Sequence, residues 1–175
     1  MSFIKLPAAE ELAPELQPTY QQIEGEFGFL PRYFRAIGRD PSTVVEQIAL
    51  YNKIVSGTLS KALKEEVGLV VSGINSSSYC VAAHMELLRR LGVEKKLGRK
   101  LATNYLAAPV GDKEKALYRF ADKLTRAPQD LNEADAQELY AAGWDENALY
   151  ETVLAVSYFN YINRISIGLG LIADL

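Results

Sequence analysis

The chain has 175 residues, 49% of them hydrophobic, with 22 acidic and 19 basic side chains and a net charge of −3. That length suits a single domain, 1–175, whose apolar core needs no disulfide staples. The charges are scattered, without the clustered Lys and Arg of a nucleic-acid surface. The single cysteine excludes an intramolecular disulfide and fits a reducing compartment.

In chain order, residues 1 to 8 form an extended lead-in, in which the short run Met1 to Leu6 is followed by Pro7 and acidic residues rather than the apolar run of a signal peptide. Glu10 to Glu26 reads as helical, with breaks at Pro14 and Pro18. Phe27, Phe29, Leu30, Tyr33 and Phe34 surround Pro31 in an aromatic-rich turn and short helix, suited to packing more than to lining a pocket. Asp40 and Pro41 mark a helix start, cap and first position, and that helix runs to about Ser56. Ser60 caps the next helix, whose buried stripe is Leu63, Val67, Val70 and Ile74. Glu65 near its start suits the helix dipole without any catalytic role.

Ser76, Ser77 and Ser78 are natural caps for the helix that follows, so Cys80 falls in its first turn. Cys80, His84, Leu87 and Leu91 share a stripe, and Gly92 stands where a glycine ends a helix. A further short helix occupies 94–107. Asp112 to Arg126 is amphipathic, Asn132 caps a short helix closing at Gly143, and Asp145 caps the final one. That last helix is apolar nearly all round, from Leu149 to Ile172, which predicts burial on most sides and a homo-oligomer to cover it. Asn160, Asn163 and Arg164 interrupt the run before the ~20 residues needed to span a bilayer. No stretch alternates with period two. The expectation is an all-α, soluble, cytoplasmic protein of about eight or nine helices, with no membrane or nucleic-acid partner.

The chemistry concentrates between Glu65 and His84. Cys80 and His84, the only cysteine and the only histidine, are four residues apart and so lie on one helical face. An imidazole and the unpaired N–H groups of a helix start both favour a thiolate. This predicts a Cys80 more acidic than a free thiol and suited to nucleophilic attack. The structural alternative is a small buried hydrophobe beside a polar contact. One Cys and one His make a poor ligand set for zinc, and no Gly-rich phosphate loop or dinucleotide fingerprint occurs. Neither a metal nor another cofactor is expected.

Glu65, Ser77, Cys80 and His84 fall in the register Glu-x11-Cys-x2-Cys-x3-His, with serine at the first cysteine position. That register resembles the alkylhydroperoxidase D-like (AhpD-like) domain of the carboxymuconolactone decarboxylase superfamily. Phe29-Leu30-Pro31, Tyr51-Asn52, Gly57-Thr58-Leu59-Ser60 and the 158–164 segment resemble its peroxidase-related branch, so the likeness spans roughly 25–172, with its motif core at 60–92. The resemblance implies an AhpD-like helical fold and a homo-oligomer (dimer, trimer or hexamer). It also implies an antioxidant oxidoreductase acting on organic hydroperoxides through Cys80, assisted by His84 and Glu65, with Ser77 in support. In thiol-active members two cysteines cycle through a disulfide. Ser77 forbids that here, so an external thiol reductant is required, and Ser77 is left to cap the helix or donate to the sulfur. Two other readings stand beside this one: a helical oligomer whose site is vestigial, and a carboxymuconolactone decarboxylase-like lyase. The lyase needs a cationic site for a carboxylate, which the motif does not supply.

Overall fold

The computed structural model describes residues 2–174, without the side chains of Ala9 and Glu26. The described residues form nine α-helices and no strand: α1 (Gln17–Phe27), α2 (Arg32–Ile37), α3 (Pro41–Val55), α4 (Lys61–Ile74), α5 (Ser78–Arg90), α6 (Lys95–Asn104), α7 (Asp112–Arg126), α8 (Glu133–Ala141) and α9 (Glu146–Gly168). The all-α expectation holds. Among these residues no helix is long and apolar enough to cross a membrane.

Local signals account for most boundaries. The Asp40 carboxylate accepts the N–H of Ser42 at 3.1 Å, and Pro41 follows in the first turn. Ser60 caps α4 through the N–H of Leu63. Asn132 and Asp135 close a reciprocal capping box on α8. At the end of α5, Gly92 has φ +83° and Val93 N–H reaches the Leu88 carbonyl, a Schellman ending. The first helical region differs from expectation. Two 3-10 turns, Ala9–Glu11 and Pro14–Leu16, precede α1, and Pro18 sits inside the first turn of α1. There its missing N–H would have had no partner anyway, so it starts the helix and does not break it.

The centre of the fold is α4, not the last helix. It packs against α5, α6, α7 and α9, and from Lys64 to Ser72 all but Glu66 are buried. The predicted four-residue stripe was therefore too narrow. By contrast α9 is one-sided. Ala148, Thr152, Ala155, Val156, Phe159, Asn163 and Ser166 face inward, while Tyr150, Tyr161 and Ile167 are exposed. Leu91 also faces outward, and Leu88 takes its place in the core.

A three-residue link joins α4 to α5. Ser76 adopts φ +55°, where glycine is usual, and Ser76 and Ser77 N–H groups turn back to the Gly73 and Ser72 carbonyls. Asn75 braces this turn against α9: its amide donates to Asn160 Oδ1 at 2.8 Å, and its carbonyl accepts from Arg164. Gly73 has no side chain because a Cβ would strike the Ala102 carbonyl of α6.

The α3–α4 loop is held by a buried ion pair. Lys64, 1% exposed, places Nζ 2.8 Å from Glu151 of α9 and also donates to the Ser56 carbonyl. Glu151 further accepts the N–H groups of Thr58 and Leu59 and the Thr58 hydroxyl, at 2.7–3.0 Å. Gly57, φ +116°, leaves room for that carboxylate. Burial pushes the Glu151 carboxyl up, but its bonds from Lys64 and the loop outweigh this and hold it at about 2.

Removing one partner of such a pair leaves the other charge buried, which costs about 3 kcal/mol or more. Glu151→Gln should therefore lower the urea midpoint at pH 7 by an amount equivalent to ~3 kcal/mol. The native Glu151 pKa lies below the ~4.3 of an unfolded glutamate. Its stabilisation is thus complete above about pH 4.3 and lost as pH falls toward about 2. Urea titrations across that interval should show a slope in the parent protein that Glu151→Gln lacks.

Candidate active site

The structure brings Glu65 of α4 and Cys80 and His84 of α5 to the wall of one cavity, with Ser77 behind it, at the link between the two helices and beside Cys80. Glu65 is fully buried, and a buried carboxylate must be paired and hydrogen-bonded to persist. It is both. Oε2 lies 2.7 Å from His84 Nδ1, and Oε1 accepts the Tyr51 hydroxyl of α3 at 2.7 Å. The role that dipole compensation would have given Glu65 is thus replaced by a specific pairing.

That pairing orients the imidazole. The carboxylate makes Nδ1 the N–H donor, so Nε2 carries the lone pair of the neutral ring. Nε2 has no partner among the described residues, and His84 lines the cavity. The ring stands edge-on to Phe159 of α9, with centroids 4.7 Å apart and planes at 88°. Its other side rests on Gly68, one turn beyond Glu65. A Cβ there would come within 2.5 Å of Cε1 and 2.8 Å of Nε2. Glycine is needed at 68 for this close approach, not for backbone freedom.

Cys80 does not meet His84 as the i,i+4 spacing suggested. Its Sγ donates to Ser166 Oγ of α9 at 3.4 Å, and no hydrogen bond joins the thiol to the imidazole among the described residues. The expected acidification is also reversed. Burial pushes the Cys80 thiol up, and the Ser166 and Ser77 hydroxyls offset this only in part. Its place in the first turn of α5 does not make it a resting thiolate. The physical reason is desolvation: the sulfur is 2% exposed within an apolar cluster that includes Val44, Tyr79 and Leu171.

Ser77 occupies the cap position of α5, but its side chain makes no capping bond. Its N–H and carbonyl serve the turn, bonding Ser72 and Val81. The Oγ is buried without a strict hydrogen-bond partner, although it sits near enough to Cys80 to act on the sulfur.

The cavity measures about 200 Å³. Its wall draws on both hydrophobic clusters of the domain, one around α4, α7 and α9 and one around α1, α2 and α3. The aromatic segment 27–34, assigned to packing at the outset, lines it through Phe27, Phe29, Tyr33 and Phe34. Tyr33 donates to Gln47, which in turn donates to the Tyr161 hydroxyl. Burial, then the Glu65 charge, pushes the Tyr158 phenol up, keeping it protonated. No group of three or more His, Cys, Asp or Glu among the described residues is placed to hold a metal ion.

Tyr51, Gly68, Phe159 and Ser166 thus belong to the site, although spacing singled out none of them for it. The chemistry-bearing motif is local to 65–84, whereas two of these four come from α9, some eighty residues away. Only Gly68 left a local trace, one helical turn beyond Glu65.

Comparisons with known proteins agree with this arrangement. The model of the carboxymuconolactone decarboxylase family matches residues 45–123, which contain the whole motif. Comparison with curated proteins gives no match. Among solved structures, an uncharacterized peroxidase-related protein from Silicibacter sp. TM1040 is similar at a TM-score of 0.92 and 28% identity, over 99% of this chain and 92% of that one. A second peroxidase-related protein, the alkylhydroperoxidase AhpD core from Ralstonia eutropha JMP134, has the same score and coverage at 24% identity. The debrominase Bmp8, in complex with 2,3,4-tribromopyrrole, is similar at 0.82 and 21% identity, over 97% of this chain and 92% of that one. The last two likenesses speak for the fold alone. The motif register, the family match over residues 45–123 and the fold thus agree in relating this chain to the carboxymuconolactone decarboxylase family.

Proposed function

We propose that this protein is a single-cysteine peroxidase that reduces organic hydroperoxides and is returned to its thiol form by an external thiol. The observation that carries the proposal is the buried Glu65–His84 pair, which leaves the second imidazole nitrogen without a protein partner on a residue that lines the same cavity as Cys80. Cys80 rests as a neutral thiol, so its proton must leave as substrate binds. His84 Nε2 is the base for that transfer, relayed through the bound hydroperoxide because no direct bond links the two residues.

The sulfur then attacks the outer peroxide oxygen. The S–O bond forms as the O–O bond breaks, and the leaving alkoxide takes the proton held on His84. Cysteine is oxidised to sulfenic acid and the hydroperoxide is reduced to an alcohol. One external thiol condenses with the sulfenic acid, releasing water and leaving a mixed disulfide. A second thiol restores Cys80 and departs as a disulfide. Glu65 stays buried throughout, stabilising the imidazolium while it exists. Tyr51 holds the second oxygen of Glu65 in place.

A second reading is removal of halogen from an aromatic ring, using the same cysteine and histidine. It is favoured by the aromatic lining of the cavity, and it accords with the activity named for a protein of the same fold. Halide release from a brominated arene, in the presence of thiol but no peroxide, separates it from the first.

Three measurements test the proposal. Alkylation of Cys80 in the folded protein should be slower than after unfolding and should inflect above ~8.5, the value of a free cysteine. An inflection below that would mean a resting thiolate and no need for the relay. After a peroxide pulse, intact mass should gain one or more oxygens at Cys80. Over-oxidation should come easily, since Ser77 cannot form a resolving disulfide. Ser77→Cys should instead lose two hydrogens and resist over-oxidation. A parent protein that stays reduced under excess peroxide would leave the vestigial reading in place. Finally, His84→Gln should lower kcat/KM for hydroperoxide roughly 100-fold by removing the base, with Cys80→Ser abolishing turnover. Gly68→Ala should fall between them by displacing the ring.

A further inference from the structure

The walls of the cavity carry more information than its size. On one side the rings run in an unbroken series from α3 to the histidine. Tyr51 lies 6.3 Å from Tyr158, Tyr158 lies 5.6 Å from Phe159, and Phe159 lies 4.7 Å from His84, centroid to centroid. On another, Tyr33 and Phe34 stand edge to face at 5.6 Å. These are the separations at which aromatic rings attract one another beyond simple burial. An entering ring would extend the same pattern.

Charge is the second constraint. No Lys or Arg is among the described residues that line the cavity, whereas Glu65, Glu86 and Asp174 are. The arginines beside the lining carboxylates are already engaged, and Lys61 Nζ lies over the Tyr51 ring, 5.5 Å from its centroid. Arg89 and Arg90 both bind Glu86 at 2.7–2.8 Å, and Arg32 pairs with Asp174 and donates to the Ala173 carbonyl. His84 is the one basic liner, and its pairing with Glu65 leaves the two together neutral at most. Among the polar liners, Gln47 is taken up by Tyr33 and Tyr161. A carboxylate-bearing ligand entering here would lose its water and meet no lining Lys or Arg as a countercharge.

From these observations we infer that the cavity selects a neutral ligand carrying an aromatic ring and excludes anionic ones. The volume of about 200 Å³ agrees, since a dry cavity of ~150 Å³ holds benzene. One ring with a short substituent fits. The inference rests on the peroxidase reading only for which reactive group the ligand bears. On that reading the substrate class is an aryl-alkyl hydroperoxide rather than the hydroperoxide of a free fatty acid.

The experiment uses unreactive ligands, so that selectivity and chemistry are judged apart. Acetophenone and benzoate have nearly the same shape and differ in charge, and acetylcyclohexane keeps the ketone but lacks the ring. By calorimetry on the parent protein at pH 7, acetophenone should bind, with benzoate roughly 100-fold weaker. Acetylcyclohexane should be weaker by about 3- to 10-fold. Bound acetophenone should also slow Cys80 alkylation, which places it in this cavity. Benzoate binding as tightly as acetophenone, binding that leaves Cys80 unprotected, or no binding at all would each overturn the inference. If the binding order holds while Cys80 resists peroxide, the ligand class stands and the peroxidase reading falls.

Discussion

The hydrogen bond between Glu65 and His84, 2.7 Å long and closed from solvent, is the constraint on which the site depends. A carboxylate with no exposed surface is tolerated only where each oxygen is satisfied. His84 supplies one partner and Tyr51 the other, so α3, α4 and α5 must meet at one point. The imidazole can reach Glu65 only by lying across α4, which requires glycine at 68, and its far edge then meets Phe159 of α9. One buried charge therefore dictates the spacing of four helices.

Its neighbour in sequence shows the same physics put to a different use. Lys64 and Glu65 are adjacent, both buried, and both paired, but in opposite senses. Lys64 joins Glu151, which also gathers the backbone of the Thr58–Leu59 loop, so both oxygens of that carboxylate are engaged within the protein. The Glu65–His84 pair leaves one nitrogen uncommitted at a cavity wall. The first arrangement fixes the entry to the central helix. The second holds an imidazole in a fixed orientation. Both are possible because α4 is in contact with five other helices, so that successive positions find partners on different sides.

Cys80 sits where two influences oppose each other. Proximity to a helix start lowers a thiol pKa, while desolvation in an apolar cluster raises it. Burial wins, and Ser166 and Ser77 soften the result without reversing it. A thiol that is neutral at rest is protected from casual oxidation and needs a base at the moment of reaction. That requirement gives the oriented histidine its place in the proposed mechanism. Ser77 completes the picture as a buried hydroxyl without a strict partner. It stands at the first cysteine position of the register that Glu65, Cys80 and His84 share.

By itself the sequence determined the helical class, nearly every helix boundary, and the grouping of Glu65, Ser77, Cys80 and His84. Those features are local: caps such as Asp40, Ser60, Asn132 and Asp145 act within one turn, and the motif spans twenty residues. Hydrophobic period, however, reports only how apolar a helix is, not how many sides the fold will cover. For that reason α9, apolar nearly throughout, buries one side within this chain, while α4, carrying Lys64 and Glu65, is central. Helical spacing put Cys80 and His84 on a common face, but only the tertiary structure decided that each would turn to a different partner, Ser166 and Glu65. The same holds for Tyr51, Phe159 and the ring-lined, cation-free cavity. Burial and pairing free energies depend on segments distant in the chain, and no single stretch of sequence contains both halves of such a contact.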